Sequence, residues 1–441
     1  MRFVALFIFL QASLGHAQTP GAPLSFLQAI DLAVEKSPGF DSARKNQIIQ
    51  NLTLKSAYAK LLPSIDFSTT DGLQNNVPIA STTSTSAVLS PNPTAPWYSA
   101  INLGATESLY DNGLSFIGIS VGKLNQEIAD ESFYRSRDQL VLNVASEFYR
   151  FSLAVNLLEV KKRQEDLLNR QFKVLQSQYQ QGFKMQIDYL RFKAQVSRAE
   201  IDRINAENSV TASTAQLQNL VGGTSATFTP LQVDVQRKLD TDLPTSAPDL
   251  DHFYDFKITA LQEKVNEKNV EIVERNYWPQ LYLTSGIEYT NENYLNSPNS
   301  FSAGHQLSWN ALITLKYNLW DWGTRNRDID VAEANRLIQD NSLKQNLLDV
   351  NTKVESLMAN VNRVRHQYHL AKELLSLEDE ANRQVEEKYR EGKATYLDLI
   401  TELNSLLDAR VQMATVYFDA LTAFAQHDYY GGRIYDSIRS R

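Results

Sequence analysis

Few residues of this chain could do chemistry, and the familiar patterns of active-site chemistry are missing. There is no cysteine, which removes disulfides, thiolate metal sites and a thiol nucleophile. His366 and His369 stand three apart in a helical stretch, as a metal pair would, but no third ligand lies nearby and a solvated or inter-helix role reads better. The paired acids Asp379-Glu380 and Glu386-Glu387 read as solvated helix faces. No nucleophile or acid–base set can be assembled, so neither an enzyme, a cofactor nor a metal site is expected. Two acids stand out by position. Asp188 and Asp398 each lie six residues past a glycine, Gly182 and Gly392. A carboxylate there favours a helix N-terminus. If symmetry brought copies of Asp398 to one axis, they would instead form an acidic ring that selects and binds cations.

The elements that position these acids occur twice. Tyr179-Gln-Gln-Gly182 returns as Tyr389-Arg-Glu-Gly392, and Leu109-Tyr-Asp-Asn-Gly113 returns as Leu319-Trp-Asp-Trp-Gly323, all displaced by 210 residues. A shared displacement marks a tandem duplication. Its parts are a first repeat over 18–221, a linker over 222–250 rich in Pro, Thr and Asp, a second repeat over 251–427 and a tail over 428–441. Each repeat runs helix, strand, loop, strand, very long helix, tip, return helix. Ser25-x-x-Gln28 is a capping box for the first helix, which is expected to run to Pro63 with a break near Pro38-Gly39. Its counterpart is expected over 251–278. No Gly or Pro interrupts 324–391, enough for a helix of ~100 Å. Its apolar residues step by three and four from Leu343 through Val350, Leu357 and Val364, a heptad seam. The matching long helix is expected over 114–181. The return helix of the first repeat carries a small-residue face with Ala194, Ser197, Ile201 and Ile204.

Strands are expected at about 64–72, 97–110, 280–290 and 306–320. From Leu307 to Leu319 the odd positions are apolar and the even ones mostly polar, the period of a strand with one oily face. A half-buried soluble sheet would alternate in the same way. The five tryptophans separate the two cases, because all lie in or beside the strands and none in the long helices. Aromatic residues at strand ends suit a bilayer interface. The loops 73–96 and 291–305, rich in Ser, Thr, Asn and Pro, would be external. Four strands cannot close a membrane barrel, for which about eight is the minimum, and an open edge in lipid leaves backbone groups unpaired. Copies must therefore share a barrel. Three copies would give about twelve strands and room for a conduit, whereas an eight-stranded barrel is filled by its own side chains.

The N-terminus supports a membrane beyond the cytoplasm. Arg2, the apolar run Phe3–Leu10 and the small residues before Ala17 form a secretory signal peptide over 1–17. No cysteine follows it to carry a lipid anchor, and no apolar stretch of about 20 residues predicts a membrane helix. The formal net charge of −8 argues against nucleic acid, which selects basic patches.

These motifs, in two copies and in register, resemble the TolC family of outer-membrane factors over nearly all of the mature chain. The resemblance implies a mixed fold of α-helix and transmembrane β-strand. Four strands per protomer would join a homotrimeric twelve-stranded barrel in outer-membrane lipid, above a periplasmic α-helical barrel of coiled-coil hairpins. It implies a passive channel for efflux or type I secretion in a Gram-negative cell. Its partners would be a periplasmic adaptor (membrane fusion protein) and an inner-membrane transporter, meeting the tips around Gly182, Leu190, Gly392 and Leu399. Asp111, Gly113, Asp321 and Gly323 form the strand-to-helix turns. Asp398 matches a gate-ring acid; a second acid is expected three residues on, where this chain has Thr401, and Glu402 replaces it only if it too turns inward. Asp188 and Tyr389 match a latch between the tips. The latch's basic partner position is Ala394, with Lys393 adjacent. A soluble periplasmic coiled-coil adaptor is the alternative, though it leaves the duplicated strands unexplained.

Overall fold

The structure is a computed structural model that describes residues 23–73, 97–223, 225–234, 252–293 and 304–440. The signal segment, nearly all of both loops between strands and most of the linker lie outside the described residues. Helix α1 (Phe26–Lys36) opens on the expected capping box: Gln28 N donates to Ser25 Oγ, and Ser25 N donates to Gln28 Oε1 at 2.9 Å. It stops at Ser37, whose extended backbone is what a following proline imposes. Pro38 then occupies the first position of α2 (Pro38–Ala59), where its missing N–H costs nothing.

Helix α2 ends before Pro63, at Ala59, through a turn in which Leu61 N donates to Tyr58 O. Its counterpart α5 (Tyr254–Asn276) is likewise shorter than expected and closes in a turn ahead of Pro279. The long helices α3 (Leu114–Gln180) and α6 (Thr324–Arg390) are each 67 residues. The return helices are α4 (Gln186–Leu220) and α7 (Tyr396–Tyr430). The bounds of α6 and α7 equal those of α3 and α4 plus 210. The segment 428–441, expected as a tail, is instead structured. Helix α7 runs on to Tyr430, and α8 (Ile434–Ser440) places Ile434 and Ile438 in the core.

The strands β1 (Ser64–Leu73), β2 (Trp97–Tyr110), β3 (Gln280–Asn293) and β4 (Gly304–Lys316) form one antiparallel sheet in that order. Strand β4 ends four residues earlier than expected. Lys316 pairs with Gln280, the first residue of β3, and Pro279 before it cannot extend the ladder as a donor. Leu319 and Trp320 therefore sit beyond the strand. Along β4, Leu307, Trp309, Ile313 and Leu315 are all exposed, so among the described residues nothing covers the sheet's apolar face.

The chain divides into two compact units, 45–131 with 255–347, and 1–44 with 132–254 and 348–441. Neither is a single repeat; each draws on both halves. The first holds the sheet. The second holds the main core, where Val141, Val144 and Phe148 of α3 meet Val361, Val364 and Tyr368 of α6, and Met413, Ala420 and Phe424 of α7. The heptad seam of α6 is thus buried at Val350 and from Leu357 to Ala371. Among the described residues no helix is long and apolar enough to cross a membrane.

A buried charge links α3 to the start of α5 within the second unit. Asp138 is fully buried, with Arg137 Nε at 2.8 Å and the Tyr254 hydroxyl donating at 2.6 Å. The Arg137 guanidinium also lies over the Tyr435 ring of α8. Tyr254→Phe removes one donor from a buried carboxylate, which should cost about 1–3 kcal/mol. A lowered melting temperature of the detergent-solubilised protein checks this, and an unchanged melt would contradict it.

Candidate functional site

Each tip reverses through a glycine in the left-handed region. Gly182 has φ +80° and Gly392 has φ +75°. Around them Phe183 N donates to Gln178 O and Lys393 N donates to Lys388 O, both at 2.8 Å, closing helices α3 and α6 in Schellman fashion. A Cβ added at either glycine would meet nothing within 4 Å, so backbone conformation alone demands glycine there.

The strand-to-helix turns are built on the same logic. Asp111 Oδ1 accepts from Gly113 N at 3.0 Å and Oδ2 from Ser115 N at 2.8 Å. Asp321 accepts from Gly323 N and Arg325 N at 3.0 and 2.9 Å. Both glycines have φ +80° and follow a second left-handed residue, Asn112 or Trp322. Asn112 suits that conformation and donates to Pro279 O at 3.0 Å. Nothing in the structure explains why a bulky tryptophan takes its place. These four motif residues make turns; no ligand chemistry is evident in them.

The two tip acids part company. Thr395 caps α7: its Oγ accepts from Asp398 N, while Asp398 Oδ2 accepts from Thr395 N at 2.8 Å and Oγ at 2.6 Å. These bonds from Thr395, side chain first, hold the exposed Asp398 carboxyl below its ordinary pKa. The N-cap of α4 is Met185, which offers no side-chain bond, and the exposed Asp188 carboxylate makes no hydrogen bond or ion pair among the described residues. A bond from Tyr389 to Asp188 is therefore not formed within the chain. Lys393 pairs with Glu391 of its own tip at 2.8 Å.

The remaining gate residues are also engaged locally. Thr401 is exposed and donates to Leu397 O at 2.9 Å. Glu402 turns toward α6, where burial first and then the Glu378 carboxyl beside it raise its pKa. Leu190 is exposed and Leu399 half-buried. His366 and His369 are both exposed, and among the described residues no group of three or more His, Cys, Asp or Glu side chains could hold a metal. Two residues that matter here escaped the sequence reading. Thr395 was visible as the first member of a Thr-x-x-Asp box. Glu378 would have emerged by carrying the 210-residue displacement back to Leu168.

The cap makes a measurable prediction. Asp398 has a depressed pKa, so its stabilisation of the α7 N-terminus is present above the ordinary carboxyl range and lost as pH falls through the depressed value. Thr395→Ala should speed amide exchange at Asp398 and Leu399 and move the Asp398 pKa back up. Exchange unchanged at these amides would show that the box does not hold the tip.

Comparison with known proteins gives the geometry a family. The family model described as "Outer membrane efflux protein" matches residues 29–223 and 252–426. The outer membrane protein TolC of Escherichia coli K12 is 19% identical over 330 residues, which span 73% of this chain and 66% of TolC, just under two thirds. The alkaline protease secretion protein AprF of Pseudomonas aeruginosa is 23% identical over 424 residues, covering 93% of this chain and 84% of AprF. The CmeC outer membrane channel of Campylobacter jejuni shares the fold with a TM-score of 0.79 at 13% identity, over 97% of this chain and 93% of CmeC. The adaptor alternative has no such support: with both matched segments spanning its two repeats, this chain belongs to the outer membrane efflux protein family.

Proposed function

We propose that the chain is one protomer of a homotrimeric outer-membrane channel that passively conducts cargo out of the periplasm. The observation that carries this reading is the open four-stranded sheet. Among the described residues its outer strands β1 and β4 have no second partner strand, and the oily face of β4 is bare. Backbone groups left open in hydrocarbon cost several kcal/mol each, so the edges need strands from further copies, and lipid suits the bare face. Three copies supply about twelve strands, wide enough for a conduit. The paired helices α3–α4 and α6–α7 would then serve as the periplasmic hairpins.

At the hairpin tips, a periplasmic adaptor and an inner-membrane transporter complete the path, docking around Gly182, Leu190, Gly392 and Leu399. A family model named for efflux and a relative named for protease secretion support both kinds of cargo. In the trimer, Asp398 and Thr401 would ring the entrance. The unengaged Asp188 is free to meet Tyr389 or Lys393 of another hairpin as the latch.

Mass measurement in detergent should give a trimer; a stable monomer with a closed barrel would refute the assembly. In single-channel recordings Asp398→Asn should weaken block by trivalent cations and lower cation preference. Thr395→Ala serves as control, since it disturbs the cap and keeps the acid. Should the two variants behave alike, the carboxylate only ends a helix. Asp188→Ala should raise conductance without changing selectivity. Gly182→Val or Gly392→Val should impair export while leaving trimers in the outer membrane; normal export would move the docking surface elsewhere.

A further inference from the structure

The two hairpins are built on one plan, yet the structure joins them on one side only. Ile400 of α7 is 4% exposed and clusters with Leu168, Leu175, Phe192 and Ala199 of the α3–α4 hairpin. One turn further, Asn404 accepts a hydrogen bond from Gln164 of α3 at 3.0 Å. Leu407 and Ala414 continue the face and line a cavity of about 320 Å³ together with Leu157 and Val160 of α3. This stripe of α7 is the joint between the hairpins of one chain.

Subtracting 210 gives the matching stripe on α4: Leu190, Ala194, Ser197 and Ile204. It has the same spacing on a helix with the same bounds, and it is bare. Leu190 is 51% exposed, Ile204 43%, and Ala194 and Ser197 are exposed as well. The small-residue face expected from the sequence is therefore not the packing face of α4 within its own hairpin; Phe192 and Ala199 are. Adding 210 to the seat of Ile400 identifies the surface that would receive it. Leu168, Leu175, Phe192 and Ala199 become Glu378, Val385, Glu402 and Ala409. Two apolar side chains of the first seat are thus two carboxyls in the second, and they lie side by side, with one Glu402 oxygen buried and unpaired.

We propose that the bare α4 stripe docks on the α6–α7 hairpin of a second copy of this chain, seating Leu190 at Glu378 and Glu402. This rests on the trimer proposed above. The ring then alternates two unlike joints: an apolar one inside each protomer, held by Ile400, and an acidic one between protomers. The side chains of the partner's stripe, Leu190, Ala194 and Ser197, are uncharged, with exposed Arg191, Lys193 and Arg198 on its flanks at the rim of the joint. Among the described residues of one chain, Glu378 is the charged group acting on Glu402. Closing the acidic joint buries the pair further and favours a proton held between them. Because the Glu402 pKa is raised, that contribution is present at low pH and lost as pH rises above the ordinary carboxyl range.

The absence of native cysteine makes the test clean. Leu190→Cys combined with Val385→Cys, treated with a short thiol-reactive cross-linker, should give covalent dimers and trimers on denaturing gels. Leu175→Cys with Ile400→Cys should give only internally linked monomers. Trimers by mass without inter-chain cross-links from the first pair would overturn the proposal while leaving the trimer intact. Absence of trimers by mass would overturn both. In a second arm, Glu378→Leu with Glu402→Phe rebuilds the apolar seat. The native channel should conduct more as pH rises, and the rebuilt one should lose that dependence and conduct less. Identical pH profiles would show that the carboxyl pair does not lie in the joint.

Discussion

A β-sheet with two free edges cannot rest in hydrocarbon, and that requirement shapes the rest of this chain. The sheet runs β1-β2-β3-β4 without closing, and the ladder of β4 on β3 stops where Pro279 withdraws a donor. Water could satisfy the outer edges of β1 and β4, but the side chains between them are wrong for water: Ile65, Phe67, Leu307, Trp309 and Ile313 are all more than two thirds exposed. An oily face asks for lipid, and lipid forbids open edges. Only further strands resolve the conflict. The helices have no such difficulty with their backbones, whose bonds are internal, and the seams of α3, α6 and α7 find partners within the chain.

Duplication supplies the partners cheaply but does not make the halves equivalent. The bounds of the long and return helices repeat at the same displacement, as do left-handed glycines, Gly182 with Gly392 and Gly222 with Gly432. Backbone geometry is therefore shared. Side-chain environments diverge, because a chain of two repeats can form only one of the two joints that a closed ring of repeats contains. Ile400 finds a seat and Leu190 does not. Sequence drift can then act on the two joints separately, as it has where Leu168 and Phe192 correspond to Glu378 and Glu402.

This also explains which parts were legible in the sequence. Strands, long helices and tips were readable because each has a strong local signature: alternation from Leu307, an uninterrupted heptad seam through Val364, and glycines where φ must be positive. Ends were less legible. Strand β4 was expected to continue to 320 because alternation persists there, yet pairing depends on the partner strand, which alternation does not encode. The segment 428–441 was expected as a tail, with Gly431 and Gly432 interrupting it. Its helix is held by tertiary contacts, Ile434 in the core and Arg137 over Tyr435, and no local pattern announces those. For the site, the glycines and turn aspartates stand in turns with positive φ or side-chain bonds, while Glu402 was placed by its neighbourhood to Asp398 rather than by the helix it faces.

The contrast between Asp188 and Asp398 shows how little a shared motif determines. Both are the third residue of a return helix and both follow a left-handed glycine. Three residues earlier stands Met185 in one case and Thr395 in the other. Threonine can both give and accept a bond, so it closes a reciprocal box on Asp398 and occupies one carboxylate oxygen. Methionine offers nothing comparable, so Asp188 keeps its full capacity to accept from a neighbour. A hydroxyl at one position thus decides whether an acid stabilises its own helix or stays available to another chain. The same economy recurs along the return helices, where an apolar stripe is either spent inside the protomer, as on α7, or left for the assembly, as on α4.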